Sequence, residues 1–401
     1  MSITLFRIIS MTASLNDRYF VHRNRFVKDF LFSGLVAEAT QVINGKRHVE
    51  FADQVICQGM ALIALSTECA ILKKSGADSR ETIGYISSIL ESFDGLEDSA
   101  AQRYGGSGVG SGFFVRDNIV GSGDPRLLGK FDLCKSDWQT TKLHSVENDS
   151  PSVDQILGLM YGLYAVKYFA NESTLNEKAE TISLRVYEYA KRNHFHLKLP
   201  NGKPTRRGSE MQLMASLAHG LNKKITGKDL FNSSKVQLGG IIDIGLNGIA
   251  AFWDSGESAK LLYAATGESI SIPLLGSWEI DINAFSVHMI LMSLCSSTVW
   301  SQEELERVSK RSNHQFSIIL YCLYNRKAPL KVKEAEMYGI LGSCAPQEPS
   351  SSAKVSSGWN KDDRWQRCLD LFKGSNSSQP NPIIYNGLDW LAFHNACQLL
   401  F

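Results

Sequence analysis

The stretch VICQGMALIALSTECAILK (residues 55–73) and the stretch RETIGYISSILESF (residues 80–93) are the clearest helical segments in the first quarter of this chain. In both, apolar residues recur at the spacing that collects them on one face of a helix. Gly76 follows the first stretch, at a place where glycine commonly ends a helix. The two stretches therefore predict a hairpin of two helices packed through their apolar faces.

The same helical spacing continues along most of the chain. The other clear segments are residues 153–170, 177–194, 210–221, 284–299, 303–310, 313–324 and 388–400, and the weaker ones are residues 15–44, 259–265 and 332–341. Alternation typical of strands is scarce, and it is confined to short pieces near residues 196–199 and 270–273. With about twelve predicted helices, the chain belongs to the mainly α class.

The composition is that of a large and nearly neutral protein. The chain has 401 residues, of which 43% are hydrophobic, and 42 basic residues against 41 acidic ones leave a formal charge of +1. Such a chain can bury one large core, and no clean break in helical character divides residues 1–401, so we predict a single domain. Because the net charge is close to zero, the chain lacks the overall excess of positive charge that is typical of proteins that bind nucleic acid or an anionic membrane. We therefore predict neither as a partner.

The sequence also lacks clear targeting and metal-binding signals. Arg7 interrupts the apolar residues at the N-terminus, and polar residues interrupt every apolar run before it reaches the length of a membrane-spanning helix. These observations predict a soluble, cytoplasmic protein. The eight cysteines are scattered without the paired spacing of zinc ligands, so we expect free thiols, no metal and no cofactor.

Glycine-rich and polar stretches predict the loops between the helices. Residues 105–112 read GGSGVGSG, residues 121–150 are polar, and residues 345–358 are rich in Ser and Pro. The glycine run echoes a GxGxxG motif, but no βαβ pattern surrounds it. We therefore expect a mobile flap over a cleft rather than a dinucleotide site. A loop as long as residues 121–150 inside a helical domain is often functional.

Five short segments are spread over most of the chain: ALIALSTE (61–68), SFDGL (92–96), GFFVRDN (112–118), DQILGL (154–159) and YNGLDW (385–390). Together they resemble a group of bacterial (α/α)6 toroid proteins, of the six-hairpin glycosidase-like kind, that have no assigned activity. The resemblance implies a ring of six helical hairpins. It also implies an activity on glycans, because toroids of this architecture commonly act as glycan hydrolases or lyases. A separate set of toroids cyclises terpenoids or modifies peptides.

Asp117 is the first candidate catalytic residue. Arg116 precedes it, and an opposite charge within about 4 to 6 Å favours the ionised carboxylate. An ionised aspartate suits a general base that positions water, with Arg116 and Asn118 as neighbouring substrate-binding residues. The alternative is a loop aspartate that caps a turn with the help of Asn118.

Asp154 is the second candidate, in the first turn of the helix predicted from residue 153. Ser152 and Gln155 match a capping box, and the helix dipole favours a carboxylate at this position for structural reasons alone. Gln155 and Tyr161 on the same aromatic-rich helix favour a sugar-binding role instead. Aromatic residues at helical spacing are, however, more often part of a core.

Asp389 is the third candidate, at the start of the last predicted helix. Tyr385 precedes it, and Trp390 and His394 follow it within two turns, so we predict that these three residues bind substrate. The alternative is again a capping carboxylate, which is favoured at a helix N-terminus.

The three aspartates predict a carbohydrate-active enzyme of the glycoside hydrolase or lyase type. Two carboxylates from different hairpins would act as acid and base around a glycosidic bond of an oligosaccharide. The alternatives are a non-catalytic toroid that binds a glycan or an apolar molecule, and a terpenoid cyclase-like protein. The sequence contains no DDxxD or DxDD cluster in support of the cyclase.

Overall fold

The structure of the protein is a computed structural model. It describes residues 3–51, 54–140, 151, 153–193, 198–202, 221–228, 271–272, 276–277, 341 and 383–401. Within these ranges it does not describe the side chains of residues 3–14, 139–140, 153–154, 157, 271–272, 276–277 and 383. The helices predicted at 210–221, 259–265, 284–299, 303–310, 313–324 and 332–341, and the loop at 345–358, lie outside the described residues, apart from residues 221 and 341. A single domain therefore stays a prediction.

The described part is mainly helical, which confirms the predicted fold class. Its helices are α1 (Ile3–Asp29), α2 (Gln54–Lys74), α3 (Arg80–Tyr104), α4 (Asp137–Thr140), α5 (Val153–Ala165), α6 (Ser173–Arg192) and α7 (Leu388–Leu400), and α5 continues as a π-helix over Val166–Ala170. Its strands are β1 (Leu31–Phe32), β2 (Leu35–Val36), β3 (Ala39–Ile43), β4 (Lys46–Glu50), β5 (Leu133–Lys135), β6 (Ser271–Ile272), β7 (Gly276–Ser277) and β8 (Ile383–Tyr385). The helices predicted over 55–73, 153–170 and 388–400 are confirmed almost residue for residue.

Two helix boundaries were predicted wrongly. The helix expected over residues 15–44 ends at Asp29, and the antiparallel pair of β3 and β4 follows it. Asn44 and Gly45 connect these strands with φ angles of 51° and 75°, the left-handed pair that a tight hairpin requires. The second error is the end of the helix predicted over residues 80–93, which continues to Tyr104 as α3.

A four-stranded sheet joins both ends of the described chain. Its strand order is β5-β4-β3-β8, so the C-terminal strand pairs with β3 near the N-terminus. The pairing places Tyr385 opposite Ala39. Asn386, which follows β8, donates its side-chain amide to the carbonyl of Ala37 at 3.1 Å. This sheet fixes where α2 and α7 begin, because β4 leads into α2 and β8 leads into α7.

Three helices run side by side in the same direction. Residues near the start of α2 meet residues near the start of α5, and the Cys69 thiol near the end of α2 faces the Ala170 carbonyl that follows α5. Asn386, before α7, contacts Cys57, and Asn395 donates to the Ala64 carbonyl. In each pair of helices, contacts further along one helix are made by residues further along the other. Hence α2, α5 and α7 are parallel, and their first turns lie at the same end of the layer.

The remaining long helices run in the opposite direction. Thr82 at the start of α3 bonds to Glu68 late in α2, whereas Ser92 further along α3 bonds to Gln58 early in α2. Helix α1 is likewise antiparallel to α7, since its residues 16 and 22 meet residues 394 and 390. Helix α6 is parallel to α3, because Lys178 pairs with Glu91 and Arg185 pairs with Glu97. The described helices thus form hairpins between two layers of opposite direction.

Helices α2 and α5 approach each other through glycines. A Cβ atom built on Gly59 would lie 2.1 Å from the carbonyl oxygen of Gly158, and one built on Gly162 would lie 2.7 Å from the carbonyl oxygen of Gly59. Both distances are far inside van der Waals contact, so these positions accept no side chain without a shift of the backbone. The glycines therefore set how closely the two parallel helices pack.

We expect Gly59→Ala to destabilise the protein by about 2 to 3 kcal/mol, because the added methyl group forces α2 and α5 apart. The free energy of unfolding from a urea titration measures this loss. Gly84→Ala is the matched control, since Gly84 lies in α3 with no atom near its Cβ position. That exchange should stabilise the protein by about 0.5 to 1 kcal/mol. Equal effects of the two substitutions would contradict the close helix contact.

Helix α2 is also apolar and long enough to cross a membrane, with a mean hydropathy of 1.8 over its most apolar window. In the fold, 83% of that window is buried by other parts of the protein. A core helix and a membrane-spanning helix both meet these criteria of length and composition. The finding among the described residues is therefore weak evidence for a membrane span.

Candidate functional site

The N-terminal rim is the end of the parallel layer at which α2, α5 and α7 begin, and it is defined by Gln54, Asp154, Gln155, Asn386 and Asp389. Two of the three predicted catalytic aspartates belong to this rim, one from α5 and one from α7. Because the three helices are parallel, the positive ends of their dipoles lie together there. This arrangement favours acidic side chains and negatively polarised ligand atoms at the rim.

Asp389 lies in the first turn of α7 and is fully buried. Gly387 precedes the helix in the left-handed conformation with φ of 77°, which turns the chain from β8 into α7. Arg25 of α1 faces this turn. Burial lowers the pKa of Arg25 to about 10, against the opposing effect of the charges of Asp29 and Asp389. Arg25 therefore remains a cation at neutral pH next to the first turn of α7.

Asp154 and Gln155 occupy the first turn of α5. The side chain of Asp154 lies outside the described residues, whereas Gln155 is fully buried. On the neighbouring helix α2, buried Gln54 donates to Gln58 at 3.4 Å, and Gln58 donates to the Gly34 carbonyl at 2.8 Å. The side-chain carbonyl oxygen of Gln54 receives no hydrogen bond from any described residue. The rim therefore holds one buried amide, that of Gln54, whose oxygen has no hydrogen-bond donor among the described residues.

Asp117 is held inside the protein by hydrogen bonds to its carboxylate, and its role as a general base stays a prediction. It is fully buried and accepts hydrogen bonds from the backbone N–H of Ile119 at 3.0 Å and of Asp137 at 2.8 Å. The Ser136 hydroxyl donates a third bond to it. These bonds tie the turn after Asp117 to the start of α4. The alternative interpretation, a turn-capping aspartate, agrees with this geometry.

The neighbours of Asp117 are also engaged within the protein. The guanidinium of Arg116 lies 3.7 Å from the carboxylate of Asp137, so its described ion pair is not the predicted one with Asp117. The Asn118 side chain donates to the Gly95 carbonyl at 3.1 Å and accepts from Arg126 at 2.6 Å. Its amide is thereby used to fasten the loop to α3. A substrate-binding role for Asn118 stays a prediction.

We expect Asp117→Asn to destabilise the protein by about 2 kcal/mol, since one of its two backbone donors would then face an amide N–H instead of an oxygen. Thermal and urea unfolding measure the loss. Asp132→Asn is the control: Asp132 is exposed and accepts from the backbone of Arg47, and its replacement should cost under about 1 kcal/mol. A variant of Asp117 with unchanged stability would contradict the structural role.

The predicted aromatic and histidine ligands are buried or lie in the sheet. Tyr161 is in the core, and Trp390 is fully buried with its indole N–H donating to the Leu341 carbonyl at 3.2 Å. His394 stacks between Trp390 and Tyr19, at centroid distances of 5.4 and 4.6 Å. Tyr385 is half-buried in β8. Packing therefore explains the positions of Trp390 and His394, and neither side chain reaches a surface.

Hydrogen bonds to two of its backbone N–H groups anchor the glycine run at residues 105–112, and its mobility as a flap stays a prediction. The buried carboxylate of Glu97 accepts from the backbone N–H of Gly110 at 2.8 Å and of Gly112 at 2.9 Å. Arg185 holds the same carboxylate in an ion pair at 2.7 Å. A Cβ atom on Gly112 would lie 2.0 Å from the Arg185 carbonyl. The glycines therefore permit close packing and tight turns as well as partial exposure.

A buried polar cluster around Glu68 was not predicted from the sequence. Tyr19 donates to Glu68 at 2.5 Å and Thr82 at 2.6 Å, and Arg23 pairs with it at 3.2 Å. Asn395 of α7 joins the cluster by donating to the Tyr19 hydroxyl at 3.0 Å. Burial raises the pKa of Tyr19, with a further contribution from the charge of Glu68. The one sequence signal was a glutamate inside the apolar run of α2.

The described residues contain no group of three or more His, Cys, Asp and Glu side chains placed to hold a metal ion. The cysteines among them, at positions 57, 69, 134 and 397, are free thiols. Comparison of the chain with protein-family models, with curated proteins and with solved structures found no match.

Proposed function

We propose that this chain is a carbohydrate-active enzyme of the glycoside hydrolase or lyase type, built as an (α/α)6 toroid with its active site at the N-terminal rim. The observation that carries the proposal is the parallel direction of α2, α5 and α7, which brings the first turns with Asp154 and Asp389 to one end. Neighbouring helices alternate in direction, and α7 packs on both α1 and α2. This arrangement supports a closed ring of hairpins.

The proposal assigns the chemistry to Asp154 and Asp389 and omits Asp117. A glycosidic bond requires one carboxyl group that donates a proton and one carboxylate that acts as base or nucleophile. Asp154 stands in the first turn of α5, where the helix dipole favours its ionised form. Asp389 is enclosed near the Arg25 cation. The proposal requires that the two environments hold the pKa values of the acid and the base apart.

Activity on a panel of oligosaccharides, followed by reducing-end release and by absorbance of unsaturated products, tests the proposal. The first readout detects a hydrolase, and the second is specific to a lyase. On the substrate that is turned over, Asp154→Asn and Asp389→Asn should each lower the rate by about 10² to 10⁴ while the protein stays folded. Asp117→Asn serves as the matched control, because it should lower stability and leave the turnover of the folded fraction nearly unchanged.

A specific observation favours a non-catalytic binding toroid as the second candidate. Asp389 is fully buried, and Gln54 and Gln155 at the same rim are buried as well. Buried amides and carboxylates can recognise hydroxyl groups without any reaction. If glycans bind, none is cleaved and the Asp154 and Asp389 variants alter only affinity, the binding function replaces the enzymatic one.

A further inference from the structure

The guanidinium of Arg25 is enclosed within the described part of the protein. Each of its three nitrogen atoms has less than 1 Å² of solvent-accessible surface, and none of the described residues accepts a hydrogen bond from them. Arg23 on the same helix is different, since its guanidinium donates to Glu68 at 3.2 Å and to Glu81 at 3.1 Å. Donors that are buried without acceptors oppose folding, and they persist where another molecule supplies the acceptors.

The position of Arg25 relates it to the N-terminal rim. Arg25 lies one turn beyond His22 on α1, and the His22 ring meets the Trp390 ring at a centroid distance of 5.2 Å. Asp389 is the residue before Trp390. Because α1 and α7 are antiparallel, Arg25 lies beside the first turn of α7. The charges of Asp29 and Asp389 act on Arg25 there.

We propose that Arg25 and Asp389 together bind neighbouring hydroxyl groups of a neutral sugar, which deepens the proposed function and rests on it. The chemistry selects this class of ligand. A guanidinium only donates hydrogen bonds and a carboxylate only accepts them, whereas a hydroxyl group does both. One cation beside the two carboxylates Asp29 and Asp389 leaves an excess of negative charge, which disfavours phosphate and acidic sugars.

The enclosure of Arg25 has a kinetic consequence. The guanidinium is shielded from solvent, so a ligand reaches it only after a local opening of the surrounding side chains. The observed rate of binding should therefore level off at high ligand concentration, at the rate of opening. A rate that rises linearly over the whole range would contradict a closed site.

Thermal unfolding of the full chain with the neutral methyl glycosides of glucose, galactose, mannose and N-acetylglucosamine tests the proposal, with glucuronate and inorganic phosphate as anionic probes. We expect at least one neutral glycoside to raise the midpoint by about 2 °C or more in the wild type. Arg25→Met should lose this shift, and Arg25→Lys should weaken it. Without any probe, Arg25→Met should lower the midpoint far less than Arg23→Met, the matched control that breaks a satisfied pair.

The proposal is overturned if no neutral glycoside shifts the wild-type midpoint, if the shift survives in Arg25→Met, or if only the anionic probes act. It is also overturned if Arg25→Met destabilises the unliganded protein as much as Arg23→Met, since Arg25 would then be a structural cation. Failure of the enzymatic proposal looks different. An Arg25-dependent shift without turnover supports the sugar site alone, and turnover that survives Arg25→Met supports the enzyme alone.

Discussion

Glu68→Gln should lower the free energy of unfolding by about 3 to 5 kcal/mol, the range found when one partner of a buried ion pair is removed. Glu68 is the shared acceptor of Tyr19, Arg23 and Thr82. Burial disfavours the charge of Arg23, but the charges and hydrogen bonds of Glu68 and Glu81 together outweigh this effect and raise the pKa of Arg23 above its ordinary value. A neutral amide in place of the carboxylate leaves that buried cation without its main counter-charge.

Glu81→Gln provides the matched control for this experiment. Glu81 also pairs with Arg23, at 3.1 Å, but its side chain is 66% exposed, against 7% for Glu68. Solvent screens the exposed pair, so its loss should cost under about 1 kcal/mol. Urea titration of both variants measures the difference. Comparable losses would mean that burial of the Glu68 carboxylate does not stabilise the fold.

Stability should decrease steeply as the pH falls from about 6.5 to about 4, because His394 is buried in its neutral form. Burial lowers the pKa of His394 to about 4 from an ordinary value of 6.5, with the hydrogen bond to Asn395 acting in the opposite direction. Between these values the unfolded chain binds a proton at this histidine and the folded chain does not. Acidification therefore favours unfolding, by about 3 kcal/mol at 1.36 kcal/mol per pKa unit.

Urea titrations at a series of pH values for the wild type and for His394→Gln measure this contribution. Glutamine can retain a hydrogen bond to Asn16 and does not titrate, so the variant should lose stability at pH 7 yet show a flatter profile between pH 6.5 and 4. The same titrations of His48→Gln, which replaces the half-buried histidine of β4, control for the loss of one histidine from the chain. Parallel profiles for the wild type and His394→Gln would contradict the buried neutral histidine.

The candidate site was only partly predictable. The sequence shows where the helices of Asp154 and Asp389 begin, so their place in a first turn could be predicted. That both first turns lie at the same rim could be seen only from the parallel packing of α2, α5 and α7. The sequence placed Arg116 beside Asp117, but the described ion pair of Arg116 is with Asp137. The bonds of Asp117 instead reach Ser136, 19 residues further along the chain.

The helical class and the bounds of the helices near residues 55–73, 153–170 and 388–400 could be read from the sequence, because each depends on side-chain spacing within a few turns. The sheet, the burial of Asp389 and the cluster around Glu68 became visible only in the folded protein. Asn386 and the Ala37 carbonyl that it contacts are 349 residues apart, and Tyr19 and Glu68 are 49 apart. Contacts over such separations leave no local pattern, since each side chain is an ordinary polar residue until folding removes water and brings its partner within reach.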